Sequence, residues 1–218
     1  MDSKQQPTAI HLADYRPPDF RIPSVTLEFD LDETVTRVRS RLEIVRDGPA
    51  GTPLVLDGED LALESVSVDG VPLGIDAYTV DAHGLNISDL PEQALVEIVT
   101  TCRPGENTRL EGLYVSSGTF CTQCEAEGFR RITYYPDRPD VMATFKVTVI
   151  GDAQREPVLL ANGNPVDQGT LESGRHFVTW EDPHPKPCYL FALVAGDLTK
   201  VEDHFTTMSG RNVTLQLW

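Results

Sequence analysis

The feature that most constrains the fold is a strict alternation of apolar and polar residues. In residues 25–31 the two kinds of side chain exchange at every position. Successive side chains of a β-strand point to opposite faces, so this pattern predicts a strand with one face on a core and the other in water. Residues 38–44 alternate in the same way, with arginines on the polar side. The short connection at residues 32–34 predicts that the two strands form a hairpin.

Further runs of this kind follow along the chain. The predicted strands after the first hairpin are 61–68, which ends at the turn-forming dipeptide Asp69-Gly70, and then 95–101, 145–149, 177–180, 188–194 and 211–218. Sixteen glycines and 16 prolines separate them, and no long amphipathic helical pattern occurs. The sequence therefore predicts an all-β fold, an antiparallel β-sandwich or a curved saddle-like sheet, in one domain covering residues 1–218.

The charge balance limits the partners that we expect. The chain has 34 acidic and 18 basic residues, a formal net charge of −16. Such a surface repels phosphate backbones and anionic lipid, so we expect neither a nucleic acid nor a membrane as a partner. No segment approaches the ~18 apolar residues that span a bilayer, and residues 1–20 lack the apolar core of a signal peptide. These features predict a cytoplasmic location.

The four cysteines allow more than one interpretation. Without a secretion signal, free thiols are expected at Cys102, Cys121, Cys124 and Cys188. The spacing of Cys121 and Cys124 also fits a redox or zinc-binding CxxC pair, although zinc requires a second ligand pair. A thiol-redox module thus stays open as a hypothesis, and it requires a perturbed thiol pKa.

Residues 110–140 break the period of two and cluster polar with aromatic side chains. Loops of this kind often hold binding residues. Considered alone, however, Glu125 and Glu127 are interpreted as solvated surface charges in an acidic protein. The same caution applies to Tyr134 and Tyr135, which are expected to be core aromatics with hydrogen-bonded hydroxyls.

Another part of this segment has a structural interpretation. The sequence Asp137-Arg138-Pro139-Asp140 predicts a rigid turn in which Arg138 pairs with a carboxylate.

Several motifs occur in a characteristic order. They read LEGLY at 110–114, CTQCEAEGFR at 121–130, ITYYPDRPDV at 132–141, LLANGNPV at 159–166, WEDPHPKPCYLFALVAGDL at 180–198 and FTTMSGR at 205–211. Over nearly the whole chain the sequence resembles the amino-terminal β domain of the M1 family of zinc aminopeptidases, the aminopeptidase N family.

That resemblance implies a division of labour within a longer enzyme. In the family a catalytic domain follows in the same chain and holds zinc through an HExxH helix and a distant glutamate. This sequence has no HExxH and no GAMEN segment, and none of its five histidines has a histidine four residues away. We therefore expect no catalytic residue, no metal ligand and no activity in this segment alone. The alternating strand that ends the chain also leads us to expect a longer protein.

The resemblance also implies a substrate-binding role for one loop. Residues 122–126, Thr-Gln-Cys-Glu-Ala, match the family pattern T-Q-x-[EQ]-A. By resemblance Glu125 binds the free α-amino group of a peptide substrate, together with carboxylates of the catalytic domain, and Gln123 lines the pocket for the first side chain. Charge supports this role, because a carboxylate bonds an ammonium about twice as strongly as a neutral donor. The whole enzyme would be a broad-specificity aminopeptidase that releases amino-terminal residues from peptides.

A hypothesis from a different class stays open beside it. The chain could be a stand-alone β-sandwich that binds or scaffolds a partner through the loop TQCEAEGFR, without enzymatic activity.

Overall fold

The computed structural model describes residues 11–218, and within them the chain is built from strands and short turns. The strands are β1 Phe20–Arg21, β2 Ser24–Asp30, β3 Thr36–Arg46, β4 Leu54–Asp57, β5 Ala62–Val68, β6 Val71–Pro72, β7 Tyr78–Val80, β8 Gly84–Ile87, β9 Gln93–Cys102, β10 Gly112–Ser116, β11 Thr119–Gln123, β12 Met142–Asp152, β13 Val158–Ala161, β14 Asn164–Thr170, β15 Arg175–Pro187, β16 Leu193–Gly196, β17 Val201–Thr206 and β18 Asn212–Leu217.

Short 3₁₀ turns supply the helical residues of the described chain. They are Leu12–Asp14, Ile75–Ala77, Pro104–Glu106, Phe129–Arg131, Glu172–Gly174 and Cys188–Leu190. In residues 11–218 no helix is long and apolar enough to cross a membrane. The all-β prediction is confirmed, whereas residues 1–10, on which the prediction of no signal peptide partly depends, lie outside the described residues.

One large sheet organises the molecule. Its strands run in the order β14-β15-β12-β2-β3-β9-β5-β6, and β1 pairs with β3. The predicted hairpin of β2 and β3 is confirmed, with Val25 opposite Leu42. β2 and β12 pair in parallel, and the other described pairs in this sheet are antiparallel. That parallel pairing joins segments more than 100 residues apart, which a local pattern does not reveal.

The two faces of the large sheet match the alternation in the sequence. The inward side chains of its central strands are almost fully buried; they include Val25, Leu27, Phe29, Val38, Leu42, Val96, Ile98, Phe145, Val147 and Val149. The outer face has ion pairs across neighbouring strands, such as Arg41 with Glu97 at 2.6 Å. Exposed pairs of this kind add at most about 1 kcal/mol each, so burial of the inner face dominates stability.

Smaller sheets cover the inner face. One has the order β10-β11-β16-β13 and another the order β4-β8-β7. Their inward residues belong to the same core cluster as the large sheet, and Phe29 of β2 stacks on Phe191 with ring centroids 5.8 Å apart. The result is a two-layer sandwich, as predicted. Strands β17 and β18 pair with each other in a separate two-stranded sheet.

Two local predictions have different outcomes. Asp69 and Gly70 both have positive φ, 51° and 79°, so the predicted two-residue turn is confirmed. The predicted strand over 188–194 is wrong in its first half, because Cys188–Leu190 is a 3₁₀ turn and β16 begins at Leu193. There the Cys188 thiol donates a hydrogen bond to the buried Asp137.

Candidate substrate-binding loop

The hairpin of β10 and β11 supports the loop that the family resemblance marks as functional. Its turn residues, Ser117 and Gly118, both have positive φ, 51° and 80°, as a two-residue hairpin turn requires. At the other end Gly112 pairs with Gln123, the last residue of β11. β11 also pairs with β16 on its other side. The loop therefore leaves a strand that is held from both sides.

The loop of residues 124–128 has two buried ends and an exposed middle. Cys124 is 2% exposed and Gly128 is buried, whereas residues 125–127 are exposed. The Gly128 amide donates a hydrogen bond of 2.8 Å to the Cys124 carbonyl. A side chain at Gly128 would overlap the carbonyl oxygen of Gln123, so the close approach requires glycine. The loop is thus closed on a fixed base.

Phe129 fastens this base to the core. Its side chain is fully buried. Its ring meets those of Tyr135, Phe145 and Phe191 edge to face, with centroids 5.1, 6.2 and 5.4 Å away. Aromatic pairs favour this geometry, and each adds about 0.5–1.5 kcal/mol beyond its buried area. The loop is therefore anchored directly on β12 of the large sheet.

The two residues assigned to substrate binding lie together on the exposed side. The Glu125 carboxylate has no hydrogen bond or ion pair with any residue from 11 to 218. Gln123 is also exposed, and its side-chain amide donates to the Glu125 carbonyl at 3.0 Å. The structure thus brings both residues to one surface and leaves the negative charge of Glu125 without an internal partner.

Glu127 lies in the same loop but in a different environment. Its carboxylate is 3.5 Å from the Arg130 guanidinium, and its side chain is 69% exposed. Its charge therefore has a partner within the chain, unlike that of Glu125.

Two adjacent arginines lie behind the loop, in the turn Phe129–Arg131. Carboxylates surround both, and the pairs are Arg130 with Asp57, Glu59, Glu127 and Asp137, and Arg131 with Glu59, Asp60 and Glu111. Arg131 is 8% exposed. Sequence reasoning missed this network. A signal that could have found it is the pair of neighbouring arginines in a strongly acidic chain, close in sequence to Glu127 and Asp137.

Asp137 anchors the network from the inside. Its side chain is 1% exposed and accepts hydrogen bonds from Arg130 Nε at 3.0 Å and the Arg130 amide at 3.1 Å. The Cys188 thiol donates a third bond, also at 3.0 Å. Nearby, Arg138 pairs with Asp140 at 2.7 Å. The prediction of a structural turn with a paired Arg138 is confirmed.

The cysteines do not have the properties of a redox pair. All four thiols are free, and Cys121 is partly buried while the other three are buried. Burial raises the pKa of Cys102 to about 12 and also raises the pKa of Cys121. Burial, reinforced by the nearby Asp137, raises the pKa of Cys124 and Cys188. Redox-active thiols require the opposite shift, so the redox hypothesis loses support.

The tyrosine prediction is half right. Tyr134 and Tyr135 are both buried, as expected. The Tyr135 hydroxyl, however, has no hydrogen-bond partner among the described residues, so the prediction of a bonded hydroxyl is wrong there. The Tyr135 backbone pairs with Asp57, and its ring packs edge to face on Phe129 in the aromatic cluster. Burial raises the Tyr135 pKa well above its ordinary value.

A cleft lies beside the loop's base. Its volume is about 630 Å³, and its lining includes Leu61, Arg103, Arg109, Leu113 and Arg131. Neither Gln123 nor Glu125 lines it. On this chain the two predicted binding residues therefore form an open surface.

A zinc site does not fit the described part of the chain. Within residues 11–218, no three His, Cys, Asp or Glu side chains come together in a way that could hold a metal ion. No step of a zinc-dependent reaction is therefore assigned to these residues.

Comparison with known proteins supplies the context for this loop. The sequence model of the Peptidase M1 N-terminal domain matches residues 24–190. The chain is 52% identical to Aminopeptidase N of Caulobacter vibrioides over 212 residues, covering 97% of the chain and 24% of that protein. It is also 52% identical to Aminopeptidase N of Escherichia coli over 214 residues, with 98% and 24% covered. The chain thus spans about a quarter of the length of these relatives.

Solved structures agree with the fold. Aminopeptidase A of Legionella pneumophila, crystallised in complex with aspartic acid, superposes with a TM-score of 0.89 at 38% identity, covering 94% of this chain and 24% of that one. An M1 zinc metallopeptidase of Deinococcus radiodurans superposes with a TM-score of 0.77 at 19% identity, covering 92% and 47%. The second likeness concerns the fold alone.

Proposed function

The chain belongs to the Peptidase M1 N-terminal domain family, and from this membership we propose that it caps the active site of a zinc aminopeptidase and supplies Glu125 to bind the substrate's α-amino group. A catalytic domain in the same polypeptide holds the zinc and performs the hydrolysis. Gln123 borders the pocket for the first side chain of the peptide. The substrates are peptides with a free amino terminus.

The observation that carries this proposal is the unpaired charge of Glu125. The carboxylate is exposed and has no partner in residues 11–218, while the nearby Glu127 is paired with Arg130. The buried Cys124 and Phe129 hold the loop on either side. An anchored carboxylate with no internal partner is suited to bind a cation that arrives from outside.

The same charge explains why an exopeptidase would use it. A peptide's ammonium group satisfies the carboxylate through a charge-assisted hydrogen bond. An internal peptide segment has no ammonium, so its binding would bury the carboxylate unpaired, at a cost of about 1–3 kcal/mol or more. Glu125 therefore favours chain ends over internal bonds.

The hairpin of β17 and β18 supports contact with a further domain. Its register places Val201 opposite Leu217 and Phe205 opposite Val213 on one face. On this face Val201, Phe205, Leu215 and Leu217 are 63%, 56%, 48% and 72% exposed. Exposed apolar side chains grouped in this way mark interaction sites, and the charged Asp203, opposite Leu215, lies among them. Since the relatives are about four times longer than this chain, we propose that the catalytic domain covers the face.

The test is a charge-neutralising change in the full-length protein. Glu125→Gln removes one ionic hydrogen bond, so kcat/KM for an aminoacyl substrate should fall roughly 10- to 150-fold, the equivalent of about 1.5–3 kcal/mol. Glu172→Gln, at another exposed glutamate without an ion pair, is the matched control and should change little. Equal effects of the two changes, or no effect of the first, would remove Glu125 from the site.

The isolated chain should be inactive. Since no metal site fits residues 11–218, we propose that purified chain alone releases no amino-terminal residue from a peptide. Release that a metal chelator abolishes would contradict this.

Two further parts of the proposal concern the cellular location and the partners of the protein. We propose a cytoplasmic protein, and from its net charge of −16 we propose that it binds neither nucleic acid nor membranes. The alternative of a stand-alone binding module has less support, because the chain covers only 24% of relatives that are whole aminopeptidases.

A further inference from the structure

We propose that Arg130 is a positioning residue, whose guanidinium holds the loop 124–128 so that Glu125 faces the substrate amine. The inference rests on the proposed function of Glu125. Arg130 does not contact Glu125 or the substrate, so it would act only through the loop.

On its inner side Arg130 is fixed to the core. Its Nε donates to Asp137 Oδ2 at 3.0 Å, and its own amide donates to the same oxygen at 3.1 Å. The Asp137 amide in turn donates to Asp57 Oδ2 at 2.9 Å. The Glu59 amide donates to the Arg130 carbonyl at 3.0 Å. The backbone of Arg130 is therefore tied directly, and its side chain through Asp137, to the distant segment of residues 57–59.

On its outer side the same guanidinium reaches the loop. Arg130 Nη2 lies 3.5 Å from Glu127 Oε2, two residues beyond Glu125. The arginine is 17% exposed and Glu127 is 69% exposed, so the contact joins a largely buried group to an exposed one. Through it, the exposed middle of the loop has a second attachment besides its buried ends.

The surrounding charges make this arginine difficult to replace. Arg130 Nη1 is 3.9 Å from Asp57 Oδ1 and 3.9 Å from Glu59 Oε1, in addition to the contacts with Glu127 and Asp137. Without the guanidinium, four carboxylates would face one another across a small space. Like charges repel, and Glu127 is the most exposed of the four, so it would move out and carry the neighbouring Glu125 with it. A displacement of about 1 Å can cost on the order of 100-fold in an active site.

The experiment measures how much the substrate's amine contributes to binding in the full-length enzyme. The probes are a leucine hydroxamate and its des-amino counterpart. The readout is the inhibition constant of the des-amino compound divided by that of the amine, and this ratio measures the amine's contribution to binding. We expect Arg130→Met to lower the amine's contribution about tenfold, with Arg130→Lys in between, while the des-amino inhibitor changes less than about twofold. The exposed Glu127→Gln should fold normally and lower the contribution about two- to threefold.

Two further variants distinguish a positioning role of Arg130 from general structural damage. Arg138→Met removes an arginine whose side chain pairs with Asp140, outside the loop, and should leave the ratio unchanged. In the double variant Glu125→Gln/Arg130→Met the ratio should equal that of Glu125→Gln alone, because a positioning residue acts through the group that it positions.

Each outcome decides something. If Glu125→Gln leaves the ratio unchanged, the proposed function fails and this inference fails with it. If Glu125→Gln lowers the ratio but neither Arg130→Lys nor Glu127→Gln does, the proposed function stands and the inference is overturned. Equal weakening of both inhibitors by the Arg130 variants would indicate general structural damage and would also overturn it.

Discussion

In residues 124–138 and in residues 201–218, the alternation of apolar and polar residues does not predict which side chains are buried. The first region has no period of two and no long strand, yet most of its side chains from Gly128 to Asp137 are buried. The second contains the regularly alternating strand β18 and forms a well-paired hairpin, yet most of the apolar side chains on one face of it are exposed. Alternation thus predicts that a strand forms, but not whether its apolar side has a partner within the same chain.

The reason is the range of the interactions involved. Pairing of β17 with β18 needs only a turn and backbone hydrogen bonds between neighbours in sequence. Burial of Phe129 needs Phe145 and Phe191, which arrive from two other elements. A region that connects several elements is therefore buried even when its sequence has no simple period.

The sharpest test of this comparison replaces one phenylalanine in each region by alanine. Phe129→Ala empties a fully buried site among three aromatic rings, so we expect a loss of about 3–5 kcal/mol in the free energy of unfolding. Phe205→Ala, at a side chain that is 56% exposed, should cost less than about 1 kcal/mol. Urea unfolding of the chain measures both, and similar losses would mean that the hairpin face is already covered.

The ion pairs of the two regions give the next comparison. Arg131→Met leaves Glu59, Asp60 and Glu111 without their shared cation, and we expect a loss of about 1.5–3 kcal/mol. Lys200→Met breaks an exposed pair with Glu202 in the hairpin and should cost about 0–1 kcal/mol. Chemical denaturation measures both losses. If Arg131→Met costs no more than Lys200→Met, the buried ion pairs of Arg131 do not stabilise the fold more than an exposed pair does.

The smallest expected effect is a dependence on pH. The Arg138 hydrogen bond, helped by Tyr15, holds the Asp140 pKa below its ordinary value. A depressed pKa stabilises the fold above the unfolded-state value of about 4, and this contribution is lost as the pH falls through the folded-state pKa. Asp140→Asn should therefore destabilise the chain by less than about 1 kcal/mol at neutral pH. The difference from wild type should shrink as the pH falls below about 4, and a difference that grows in acid would contradict the assignment.

Part of the candidate site could be predicted from the sequence. Glu125 and Gln123 were identified through their place in a family motif, and the structure brings them to one exposed surface. The contacts of Arg130 and Asp137 could not be predicted, because they join residues 57–59, 127 and 137 only after the chain has folded. The Tyr135 hydroxyl is predicted to be bonded and is not, since its ring packs against Phe129 in an aromatic cluster that forms only in the folded chain.

By itself, the sequence determined the position of β2, β3, β5, β9 and β12 in the large sheet, the turn at Asp69-Gly70 and the family to which the chain belongs. These depend on local backbone geometry and on motifs that are read in order. Only the tertiary structure decided that β2 pairs in parallel with β12, that the irregular segment around Phe129 lies in the core and that Glu127, unlike Glu125, has a cationic partner. These depend on contacts between residues distant in the chain, whose energies exist only when the segments meet.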